Sequence, residues 1–155
     1  METTQNPASD RVLRNTAPEV NARIRQQMEQ RVLFYGTKDS EALRERLEKL
    51  DREWDIERVI ETEAPVMALL GLTLGTAVNR KWLVLPGVVG SMVFLHAVQG
   101  WYPLLPLFRR LGVRTREEIG QEKMALKALR GDFTETTKDA DAKARAEAAL
   151  RAVRL

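Results

Sequence analysis

The chain has no cysteine, a single histidine, and only two fixed charges between residues 64 and 108. Absence of cysteine excludes disulfides, thiolate nucleophiles and cysteine-held zinc or iron–sulfur centres. One histidine excludes a histidine-cluster metal site within one copy of the chain. No catalytic or cofactor constellation appears elsewhere, so the chain is expected to be non-enzymatic and to carry no cofactor. Residues 1–10 lack the basic region, apolar core and small-residue cleavage site of a secretory signal, so the first apolar run is expected to serve as its own insertion signal.

What the chain does have is segregation. Charged residues make up 30% of its 155 residues, and the mean hydropathy of −0.34 would suit a soluble protein. Nearly all the charge, however, lies outside residues 64–108. Residues 1–63 hold 11 Lys/Arg against 14 Asp/Glu, and residues 109–155 hold 12 against 8, so an acidic arm and a basic arm flank an apolar centre.

Arg80 and Lys81 divide that centre into two runs, 64–79 and 82–100. As helices these would measure about 24 and 28 Å, close to the thickness of a hydrocarbon core. Both runs are apolar on all sides. The leucines and valines of the first run supply roughly −2 to −4 kcal/mol of insertion free energy and those of the second somewhat more, so the two are expected to insert as a pair. Trp82 and Trp101-Tyr102 bracket the second run as interfacial anchors, with Arg109 and Arg110 at the return to water. The alternatives are a soluble helical protein with a buried apolar hairpin, or a re-entrant hairpin that does not cross.

The pattern therefore predicts an all-α membrane protein: a two-helix transmembrane hairpin, 63–108, flanked by amphipathic cytoplasmic helices. In the N-terminal arm, 1–62, Val20, Ile24, Met28, Val32 and Tyr35 form the stripe of a helix over about 18–35. Leu43, Leu47, Leu50 and Trp54 form that of a second helix over about 40–62. Pro65 is expected at the first turn of the first span, and the second helix to begin between Leu83 and Pro86. The dense charge of residues 43–58 reads as a solvated helix face. In the C-terminal arm, 109–155, Thr115 and Glu118 have capping-box spacing ahead of a helix over 116–130 closed by Gly131, and an Ala-rich, partly disordered tail follows. Lys/Arg density near the span ends, five in 44–63 and six in 109–128 against two in the turn, places both termini in the cytoplasm. Nucleic-acid binding is not expected, because the basic residues are interleaved with acids or explained by topology.

Two features of the hairpin invite a function. Gly71 and Gly75, with Ala68 on nearly the same face, form a small-residue strip that either joins copies of the chain or packs the first helix on the second. His96 is the only ionisable side chain inside either span. It reads as a neutral imidazole bonded to Gln99, a backbone carbonyl or water, or else, in a redox or cofactor-binding subunit, as a ligand shared between copies.

From Glu57 to Phe133 the chain resembles the YgaP-like transmembrane domain family of bacterial inner-membrane hairpin proteins. The likeness rests on Ile56-Glu57-Arg58, the paired apolar runs, the stretch His96-Ala97-Val98-Gln99-Gly100-Trp101, and Leu111-Gly112-Val113-Arg114-Thr115. It implies an inner-membrane location and a homo-oligomer formed through the hairpin; independently of the likeness, the polar arms are expected to be presented to an unidentified protein partner. Where the family has a Gly-x-Cys-Pro pattern this chain has Gly100-Trp101-Tyr102-Pro103, which excludes a thiol-based role. Some family members carry a rhodanese domain; none is present here.

Overall fold

The structure, a computed structural model, describes residues 7–133. Among these the chain is all-helical, without strands: α1 (Pro7–Arg14), α2 (Pro18–Tyr35), α3 (Ser40–Arg52), α4 (Ile56–Ala77), a 3-10 turn (Arg80–Leu83), α5 (Val84–Gln99), α6 (Leu105–Arg110) and α7 (Arg116–Arg130). The described residues fall into two compact units, 7–26 with 53–119, and 27–52 with 120–133. The expected Ala-rich tail lies outside the described residues.

The second unit is built on the leucine stripe of α3. Leu43, Leu47 and Leu50 are buried, as is Leu126 of α7. At its centre sits the fully buried Glu122 carboxylate, reached by Arg31 at 3.1 Å and Arg46 at 2.6 Å. A buried acid held between two guanidiniums fixes a register, because removal of either partner would leave charge without solvent. On α2 the stripe from Val20 to Tyr35 is the less exposed side, yet Leu33 and Phe34 also point to solvent.

In the first unit, helix formation departs from the expected pattern at two places. The helix expected over 40–62 stops at Arg52, and a new one starts at Ile56. Asp55 caps it by accepting the Arg58 N–H at 2.8 Å, and the Ile56 N–H donates to the Arg114 carbonyl. Those bonds satisfy donors that a continuous helix would have used itself. Once begun, α4 continues for 22 residues to Ala77. Pro65 therefore lies inside a helix rather than at the start of one, removing one hydrogen bond without ending it. Elsewhere the reading holds: α5 starts at Val84, and Thr115 and Glu118 exchange both capping bonds, at 3.2 and 2.8 Å, ahead of α7.

Helices α4 and α5 form an antiparallel hairpin. Near the turn they approach through glycine: a Cβ on Gly71 would lie 2.7 Å from Pro86 Cδ, and one on Gly75 2.5 Å from Leu83 Cδ2. By length and composition two segments could cross a membrane, the one ending at Ala77 and Arg80–Gln99. Their most apolar 18-residue windows have mean hydropathies of 1.2 and 1.6, yet only 22% and 11% of them are buried. Leu69 and Phe94 are each more than 60% exposed. The hydroxyls of Thr73, Thr76 and Ser91 all turn back to carbonyls four residues earlier, so these polar groups need no solvent.

Candidate functional site

The polar chemistry of the first unit is concentrated where the hairpin ends. Helix α5 stops at Gly100, whose left-handed backbone (φ 73°) closes the last turn. Against that glycine lies α1, so close that a Cβ on Gly100 would fall 2.5 Å from the Arg11 Cβ. From there Arg11 donates to the Ala97 and Val98 carbonyls and Asn15 donates to the Gln99 carbonyl at 3.0 Å. A guanidinium at the negative end of the α5 dipole thus occupies acceptors left over by the helix.

Across the hairpin, α4 presents carboxylates to α5 and the segment after it. His96 is 8% exposed, and its Nε2 lies 3.0 Å from Glu57 Oε2, while Nδ1 has no hydrogen-bond partner among the described residues. The Tyr102 hydroxyl donates to Glu63, and its ring stands edge-on to His96 with centroids 6.1 Å apart. Burial, reinforced by the Glu63 carboxylate, pushes the Tyr102 hydroxyl well above the ordinary tyrosine range. Val12, Ile56, Ile60, Tyr102 and Leu105 form the core beneath this layer.

Below the core three arginines are paired within the chain. Arg109 is fully buried: it donates twice to Glu118, at 2.7 and 2.8 Å, and also to Asn21 and the Val113 carbonyl. Arg114 grips both oxygens of Glu53 at 2.7 Å, and Arg116 reaches Asp55 at 3.1 Å. Bidentate guanidinium–carboxylate pairs hold an orientation as well as a distance. The arrangement locks a hairpin to a polar base.

Several residues singled out in the sequence therefore occupy other places than expected. Trp82 and Trp101 are exposed at opposite ends of the second span, and Arg110 is exposed too. Tyr102 and Arg109, expected at a lipid interface, lie in the interior instead, because each has a carboxylate partner brought by chain reversal. Arg114 is buried likewise. Gly71 and Gly75 are buried against Leu83, Leu85 and Pro86, so of the two uses expected of the strip, joining copies or packing the first helix on the second, the structure shows the second; Ala68 is half-buried on the rim of a trough. His96 takes Glu57 as its partner rather than Gln99 or a backbone carbonyl. Glu53, Asp55 and Glu57 are not merely a solvated face, since each is paired.

Sequence reasoning missed Arg11, Asn15, Glu57 and Glu63. The available signal was the acids immediately ahead of the first apolar run, placed to meet groups at the end of the second once the hairpin closes.

The trough runs between α4 and α5 with a volume of about 490 Å³. Glu57, Glu61 and His96 lie at one end and Ala68 and Pro86 at the other. No three His, Asp or Glu side chains converge as metal ligands among the described residues. No protein-family model, curated protein or solved structure matches this chain.

Proposed function

We propose that this chain is a non-enzymatic scaffold of the bacterial inner membrane, a two-helix transmembrane hairpin that holds polar helices at the cytoplasmic surface and associates with further copies of itself. The observation that carries the reading is the low burial of two windows apolar enough to span a bilayer. A core hairpin in a soluble helical protein would have these side chains covered by other helices. Here the large residues Val66, Leu69, Val84 and Phe94 face outward, and hydrocarbon is the solvent in which that surface is stable. Internally bonded Thr73, Thr76 and Ser91 hydroxyls suit the same medium.

The ion pairs at the base complement this reading. They tie the residues that lead into α4, Glu53 and Asp55, to Arg114 and Arg116, while Arg11 and Asn15 hold α1 to the end of α5 by hydrogen bonds. Lys/Arg distribution favours a cytoplasmic base and an Arg80-Lys81 turn on the far side. Self-association would use the outer face of α5, where Gly87 and Ser91 line an open groove and a Cβ on Gly87 would meet nothing within 4 Å.

Because the chain has no native cysteine, single-cysteine labelling tests the topology cleanly. A membrane-impermeant maleimide added to spheroplasts should label Lys81→Cys at once and Arg23→Cys only after permeabilisation. Equal labelling of both in intact spheroplasts would refute the topology.

A further inference from the structure

We propose that the trough between α4 and α5 binds one amine-headed phospholipid, its acyl chain in the apolar slot and its ammonium at Glu57 and Glu61. This inference rests on the membrane reading above.

The shape comes from small side chains. Ala64 and Ala68 of α4 and Gly90 and Ala97 of α5 line the slot, and a Cβ on Gly90 would meet nothing within 4 Å. Glycine there is not required by the hairpin, in contrast to Gly71 and Gly75; its effect is to leave space. From Glu57 to Ala68 the slot extends about 16 Å along α4 at 1.5 Å per residue. It is flanked by the exposed apolar surface that the bilayer would cover, so an acyl chain enters from the side without leaving hydrocarbon.

Charge selects the headgroup. Both acids stand at the same end of the slot, with His96 beside them. Glu57 uses Oε2 for His96, and Glu61 has no hydrogen bond among the described residues. Arg116, held by Asp55, lies within electrostatic reach of both carboxylates. Two acids with a guanidinium alongside match a zwitterion, the ammonium accepted by the carboxylates and the phosphate drawn toward the guanidinium. An anionic glycerol headgroup offers no cation to the acids and is repelled by them. A tertiary or quaternary amine cannot donate the same hydrogen bonds as a primary ammonium.

Native mass spectrometry of the full chain in mild detergent, offered phosphatidylethanolamine and phosphatidylglycerol with matched acyl chains, tests the site. The first lipid should be retained about tenfold over the second, the discrimination of a charge-assisted hydrogen bond. Glu57→Gln combined with Glu61→Gln keeps an acceptor for His96 and should bring the ratio to about one. Gly90→Leu should displace both lipids while helical content stays unchanged; Ala97→Leu, on an exposed position of the same wall, serves if the first variant does not fold. Equal retention of the two lipids by the unmodified chain, or undiminished binding by both filled variants, overturns the proposal. So does a disulfide between copies at Gly90→Cys, which would place a second copy in the trough. A membrane-resident chain indifferent to headgroup overturns the lipid site alone, whereas a chain soluble without detergent overturns the membrane reading beneath it.

Discussion

His96 on α5 and Glu57 on α4 meet at 3.0 Å although 39 residues separate them, and this pair sets the register of the hairpin at its base. The imidazole is nine-tenths buried, so its donor must be satisfied within the protein. Glu57→Ala should destabilise the fold by about 1–3 kcal/mol, whereas Glu57→Gln, which keeps an acceptor, should have the smaller effect. Thermal unfolding in detergent followed by circular dichroism distinguishes the two, and equal losses would remove the pair from the account of register.

At the opposite end the register is set by close approach. Gly75→Ile drives a side chain into Leu83, and overpacking of this kind costs about 1–3 kcal/mol. The expected outcome is loss of a disulfide engineered between α4 and α5 within one chain. If crosslinking between copies falls while the intrachain disulfide forms normally, these glycines serve the oligomer instead.

Gly100 combines a left-handed backbone with contact against α1. Gly100→Ala is expected to lower stability by about 1–3 kcal/mol from backbone strain, with an added penalty from displacing Arg11. Gly112 is also left-handed, at φ 90°, but has nothing within 4 Å. Gly112→Ala should therefore cost less, and the comparison isolates the part due to α1. Equal melting shifts would argue against an anchoring role for α1.

Arg109 is a test of interior against interface. Glu118→Ala strands a fully buried guanidinium and should cost about 3–5 kcal/mol, well beyond the effect of removing a charge beside a lipid headgroup. Chemical unfolding in mixed micelles measures it. A change within the noise for Glu118→Ala, together with altered binding to anionic vesicles for Arg109→Gln, would return Arg109 to the membrane surface.

Alkaline pH should act through Tyr102. Burial and the Glu63 carboxylate raise its folded pKa above the unfolded value near 10. Above pH 10 the folded form thus holds a proton that the unfolded chain releases. Its stabilising contribution is complete below that pH and is lost as pH rises toward the folded pKa. Tyr102→Phe should flatten the decline in melting temperature above pH 10; an unchanged slope would assign the decline to other groups.

How much of this was legible in the sequence differs by element. The hairpin, its turn at Arg80-Lys81, the capping box at Thr115 and the stop at Gly131 all follow from local patterns: hydropathy, capping spacing and glycine. The break at 53–55 did not show, because Asp55 caps α4 only when Arg114 and Arg116 are folded back to receive Ile56 and Asp55 itself. Pro65 looked like a start for the same reason: the helix upstream of it is polar, and composition changes there while backbone geometry does not. Tyr102 and Arg109 have the residue types of interfacial anchors, and only their partners, Glu63 and Glu118, take them inside. Gly71 and Gly75 read equally well as contact between copies or between helices, and only the folded hairpin shows Leu83, Leu85 and Pro86 packed against them. Pairings across 39 or 61 residues leave no periodic trace.

The proposed function presupposes lipid around the two apolar helices. Washing membranes with alkaline carbonate, then extracting with mild detergent, tests that most directly. The chain should remain in the carbonate pellet and pass into solution only with detergent. Recovery in the carbonate supernatant as a folded monomer, with no detergent present, would contradict it.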